Sequence, residues 1–254
     1  MRRKHILVNY LQSENLKYKR TFSRKFIVMA PLFFILYAIF TMANMGTKNN
    51  YFIIMVFNWW PLIFMPLGSA LLCSLSDAKE KKAGNYRGLR SHNVKGIGLW
   101  LSKIAIISFY TFLSSIMLIT VVFLSGFLSR GNATPFFKIC EASMVIWITS
   151  VGLIPVYLFL STWLGTVASI GSALIGLAAG VIMASGPSWI FMPWSWPLRL
   201  MCPIVHVNPN GTTLQAEALL MNPAVIPMGI IVSLGFLIIT SYLTAIWFSK
   251  REVY

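Results

Sequence analysis

Covalent catalysis needs titratable or nucleophilic side chains held at fixed spacing, and this chain carries few of them. Its 254 residues include six acids, three histidines and three cysteines. Cys73, Cys140 and Cys202 lie far apart without a CxxC pair, and His5, His92 and His206 are equally scattered, so neither a zinc site nor a dithiol is indicated. There is no HExxH, no GxSxG, and no glycine-rich phosphate loop ending in Gly-Lys-Ser or Gly-Lys-Thr. Charge that could do work gathers instead in "SDAKEKKAGNYRGLRSHNVK" at 76–95, between two long apolar runs. Its Asp77 and Glu80 stand three residues apart, ahead of Gly84, Tyr86 and Leu89.

The elements around that stretch are set by hydropathy. The chain is 57% hydrophobic and only 11% charged, with a mean hydropathy of +0.73, against about 25% charged in ordinary soluble domains. The apolar residues fall in blocks of roughly 20, the length that crosses a hydrocarbon core as a helix. The expected fold is an all-α integral membrane protein, a single transmembrane domain over 1–254. Its six spans lie at about 26–44, 51–75, 104–128, 142–163, 169–190 and 224–248. No acid, Lys, Arg or His lies inside those spans away from their borders, so a proton relay within the membrane is not indicated.

A net charge of +15 on a soluble chain would suggest nucleic acid. In a membrane protein the same excess reports topology. With the N-terminus in the cytosol, seventeen of the 21 Lys and Arg fall on the inner side, and only Lys48, Arg130, Lys138 and Arg199 on the outer. Both termini and the 76–95 stretch are therefore expected in the cytosol, with lipids rather than nucleic acid as surroundings.

Residues 1–25 read as a cytosolic lead-in. Within it Leu7, Leu11, Tyr18 and Phe22 share one helical stripe, with basic residues on the other faces, which suits an elbow helix lying on an anionic leaflet. The following apolar run is too long for a signal peptide. Downstream of 76–95, "GIGLWLSK" reads as a short amphipathic helix along the surface that ends at Lys103.

On the outer side, Trp189 at the end of span five clusters with prolines and with Trp194 and Trp196 of the long segment 191–222, fitting either a belt of interfacial anchors or a substrate surface. Glu141 and Glu217 are the acids expected there, able either to attract a cationic ligand or to pair with Lys138 or Arg199. Cys140 and Cys202 would share that side, where they could pair. Ser172, Gly176, Gly180 and Ala184 recur every four residues, a stripe open to close helix approach by a partner permease or from within. Pro61 and Pro66 are placed to bend span two.

The order of elbow, two spans, a cytosolic Glu-x-x-x-Gly loop ("EKKAGNYRGL", 80–89) and four further spans resembles the type-2 ABC exporter permeases. More narrowly, "SENLKYKRTFSRKFIVMAPLF" at 13–33 and "PWSWPLRLMCPIVHVNPNGT" at 193–212 resemble lantibiotic-immunity permeases of the epidermin, mutacin and nisin type. That resemblance implies a non-catalytic subunit whose loop residues Asp77, Glu80, Gly84, Tyr86 and Leu89 couple it to a cytosolic ABC ATPase, present in two copies and binding ATP and magnesium. It also implies a second, related six-span permease and a cationic lanthionine peptide as substrate. A drug or lipid exporter of the same class, or a membrane protein that sequesters peptide without transport, stays open.

Overall fold

A computed structural model describes residues 2–18, 22–45, 51–84, 86, 96–128, 135–215 and 218–251. Among them the only extended pairing is an isolated antiparallel bridge between Val207 and Thr213; the rest of the regular structure is helical. The helices are α1 (Arg2–Tyr18), α2 (Phe22–Met45), α3 (Tyr51–Trp59), α4 (Met65–Lys82), α5 (Gly96–Leu128), α6 (Phe136–Val151), α7 (Leu153–Trp163), α8 (Thr166–Ala184), α9 (Trp196–Val205) and α10 (Val225–Lys250).

Among the described residues five stretches are long and apolar enough to cross a membrane: Phe52–Lys82, Gly96–Ser125, Phe136–Trp163, Thr166–Ala184 and Val225–Lys250. They coincide with expected spans two to six, and α2 is a 24-residue helix over the expected first. Four bounds need correction. Span two runs on to Lys82 rather than 75, carrying Asp77 and Glu80 into α4, and span four begins at Phe136 rather than near 142. "GIGLWLSK" is not a separate surface helix, because 96–103 forms the first two turns of the 33-residue α5. Span five stops at Ala184 rather than near 190, and the chain continues through two short 3-10 turns, Pro187–Phe191 and Pro193–Ser195. Of the cytosolic coupling helix expected between spans two and three, in the 76–95 stretch, residues 76–82 continue α4, while 85 and 87–95 lie outside the described residues.

The prolines of span two leave a defined mark. Between α3 and α4, Trp60–Phe64 winds as a π-helix, with the Met65 N–H donating to the Trp60 carbonyl five residues back. Pro61 has no N–H to give, so the ordinary ladder is interrupted there and the wider turn takes its place. α4 then ends where Ala83 donates back to the Lys79 carbonyl and Gly84 takes φ +103°, a conformation that favours glycine.

Two apolar cores fill the bundle. One gathers Phe34, Phe57, Trp60, Leu118, Ile146 and Leu200, and the other Tyr18, Trp100, Ile107, Ile154, Tyr157 and Phe248. The second lies toward the end of the bundle where α1, the C-terminus of α4 and the N-terminus of α5 meet.

Candidate functional site

α1 is carried against α5 by one stripe. Leu11 is half-buried, Glu14 and Tyr18 are buried, and Leu16 on the far side is 58% exposed. Tyr18 stacks at 4.7 Å on Tyr110 of α5, whose hydroxyl donates to Asn15 Oδ1 at 2.7 Å. Gly98 lets the two helices meet, since a Cβ there would lie 2.8 Å from the Tyr10 ring. α1 carries Leu11 and Tyr18 of the expected stripe on its inward face, but Phe22 belongs to α2, and the same inward face carries a carboxylate.

That carboxylate completes a ring. Glu14 accepts from Lys17 Nζ at 2.6 Å and from Lys103 Nζ at 3.1 Å. Glu80 accepts from the same two ammonium groups, Lys103 at 2.9 Å and Lys17 more closely still. Each acid touches both lysines, and the four charges cancel. Glu14 and the Lys103 side chain are 0% exposed and Glu80 is 5% exposed, so the groups have exchanged water for one another, at a desolvation cost of several kcal/mol per ion that only well-kept geometry offsets. Burial pushes the Lys17 ammonium down, but the charges and hydrogen bonds of Glu14 and Glu80 outweigh it and hold its pKa above the ordinary lysine value.

A second shell of contacts ties the hairpin to the ring. Asp77 pairs with Lys81 at 2.7 Å and accepts from the Tyr86 hydroxyl at 2.7 Å. Tyr86 takes φ +67°, a conformation that costs a non-glycine residue about 1–3 kcal/mol and persists only where its surroundings dictate it. Those surroundings are Phe248 at 5.4 Å and the Lys103 ammonium at 5.9 Å from its ring. Lys79 Nζ donates to the Lys17 carbonyl at 2.9 Å, and Lys81 Nζ to the Ser161 carbonyl at 3.0 Å. α10 closes the set, with Trp100 Nε1 donating to Thr244 at 2.9 Å and Gly96 admitting the backbone of Ser249.

Of the expected coupling residues, Asp77, Glu80 and Tyr86 are therefore brought together, but with their side chains turned into the protein. Gly84 is exposed, and Leu89 lies outside the described residues. Sequence reasoning missed Glu14 and Lys17 and treated Lys103 as a border charge. One signal was available: Glu14 is the only acid before Asp77, and these two with Glu80 are three of the six acids in the chain.

The tryptophan segment differs from expectation. What read as an outer loop folds onto the bundle, with Trp196, Leu198, Arg199, Leu200, Met201, Cys202 and Ile204 of α9 buried. Arg199 donates to the Leu220 carbonyl at 2.6 Å. Trp189 and Trp196 are 7% and 2% exposed, and Trp196 Nε1 donates to the Ile190 carbonyl at 2.9 Å. Trp194 fills the small-residue stripe: a Cβ on Gly176 would fall 2.2 Å from its indole, one on Gly180 would fall 2.9 Å from its carbonyl oxygen, and its Nε1 donates to the Tyr157 hydroxyl at 2.7 Å. Ser172 turns its hydroxyl to the Ser169 carbonyl, and Ala184 is buried. Asn58, buried in α3, donates to the carbonyls of Asn208 and Pro209 at 3.3 and 3.1 Å and so clasps the turn after α9. All three cysteines are free thiols, so Cys140 and Cys202 do not pair. Glu141 is exposed and Glu217 lies outside the described residues. No cluster of His, Cys, Asp and Glu suited to a metal occurs among the described residues.

Residues 10–180, two thirds of the chain, match the family described as ABC-2 family transporter protein. The chain belongs to the ABC-2 transporter family. The match spans the whole charge ring and ends before the tryptophan segment. No curated protein and no solved structure matches the chain. As an ABC-2 protein it is a multi-pass membrane permease, the transport component of its system, and such permeases pair with a cytosolic ABC ATPase.

Proposed function

We propose that this ABC-2 permease is one half of the pore of an exporter that removes cationic lanthionine peptides from the membrane and so confers immunity or resistance. With α2 as the first of six spans, both termini and the charged hairpin share one side, and the seventeen Lys and Arg on that side favour the cytosol. There the hairpin meets an ATPase, two copies of which bind ATP and magnesium, while a second related six-span permease supplies the other half of the pore.

The observation that carries this reading is the family match together with a hairpin held in one shape from inside. Asp77, Glu80 and Tyr86 fix that shape, and the exposed turn at Lys82–Gly84 is the surface offered to the ATPase, with Leu89 as a further contact. Support for the peptide comes from the resemblance at 13–33 and 193–212, with Glu141 and Glu217 as the acids that attract it and the tryptophan segment as its support.

The test is co-expression with candidate ATPase and second-permease chains, purification of the complex, and exposure of cells to a lanthionine peptide. Recovery of all three chains and peptide resistance that is lost on inserting two residues after Gly84 are expected. A complex without an ATPase overturns the permease reading. ATPase activity stimulated by a lipid or drug and indifferent to peptide overturns the substrate, and resistance that persists without the ATPase points to sequestration.

A further inference from the structure

We infer that α1 is a moving part of the coupling apparatus, with Glu14 and Lys17 as positioning residues that make it follow the hairpin. This rests on the coupling reading above and extends it to a helix outside the loop.

A helix that merely lies on a leaflet needs an apolar stripe on one side and basic residues on the other. α1 has these and also spends one of the chain's six acids at the point where it meets the bundle. The ring takes Glu14 and Lys17 from α1, Glu80 from the end of α4 and Lys103 from α5, so no member can shift without straining bonds to two others. Burial makes the clamp specific to position. A greasy contact slides with little loss, whereas Glu14, Glu80 and Lys103, all buried, have no water to turn to when separated from their partners, and only Lys17 keeps partial access to it. A displacement arriving at Glu80 therefore either breaks the ring or carries α1 along, and Lys79 on the Lys17 carbonyl with Tyr110 on Asn15 brace the same joint.

The test uses the full complex, ATPase and second permease included, in lipid nanodiscs, with Cys140→Ser and a fluorophore on either Ser13→Cys in α1 or Lys82→Cys beside the hairpin turn. Both positions are exposed. Magnesium-ATP should change the emission of both labels. Glu14→Gln should reduce the Ser13 response and leave that at Lys82. The variant Glu14→Gln/Lys17→Met, which retains a balanced Glu80–Lys103 pair, should reduce the Ser13 response at least fivefold. A ring that only stabilises would lower the yield of complex without altering the ratio of the two responses, and that result overturns the inference. So does a Ser13 label that stays silent in the intact complex while Lys82 responds. Silence at both positions would instead remove the coupling reading itself.

Discussion

At one end of the bundle four charged side chains meet, Glu14, Glu80 and Lys103 out of reach of water and Lys17 a third exposed; at the other, the segment from Pro187 to Asn222 is held by ring packing, a glycine groove and two hydrogen bonds from Asn58. The first joint is governed by charge and tolerates no missing partner. The second is governed by shape and tolerates no added volume. A machine that must pass on a displacement gains from the former at its driven end, because ions in low dielectric respond steeply to geometry. Interlocked apolar groups suit a part that has only to keep its form.

The sharpest way to break this contrast is at Lys103. Lys103→Met leaves two buried carboxylates sharing Lys17 and should cost about 3–5 kcal/mol, read as loss of folded protein in detergent melting curves. The shape-preserving Leu200→Met at the other end should cost less than about 1.5 kcal/mol. Equal effects would erase the distinction. Next comes volume: Gly176→Ala should destabilise by about 1–3 kcal/mol through collision with the Trp194 ring. In a Trp194→Leu background that penalty should fall below half, the double-mutant cycle isolating the contact.

Much of this architecture was legible because hydrocarbon thickness dictates span length, and the chain's apolar blocks obey it. Glu14 was hidden because its importance lies in Glu80 and Lys103, the latter 89 residues away, and an acid on a basic helix otherwise reads as solvated. α9 was concealed by Pro193, Pro197 and Pro203, which look like loop yet here sit within one 3-10 turn and a short buried helix. The glycine stripe signalled close approach correctly, but only the fold shows that Trp194 is what approaches.

Smaller effects refine the picture. Asn58→Leu removes both donors to the turn at Asn208–Pro209 and should cost about 1 kcal/mol per bond, detected as faster amide exchange across 206–213 with the α1 protection unchanged. The mildest probe is alkali. Lys17 has a folded pKa above its ordinary value, so its contribution is complete below about pH 10.4 and fades as pH climbs through the raised value. Melting temperature should accordingly stay level from pH 7 to 9 and decline only above the lysine range, and Lys17→Met should flatten that decline.

The π-helix at Trp60–Phe64 links these two ends. Each residue of a regular helix advances the azimuth by roughly 100°, and the wide turn absorbs one residue of that advance between Asn58 and Glu80. Excising a single residue there would return the rod to uniform winding with its far half facing the same way. A residue deleted from the regular part of α4 would instead swing Glu80 by roughly 100° away from Lys103 while Asn58 still gripped its loop, so the wide turn is the one place where grip and ring tolerate a change of length.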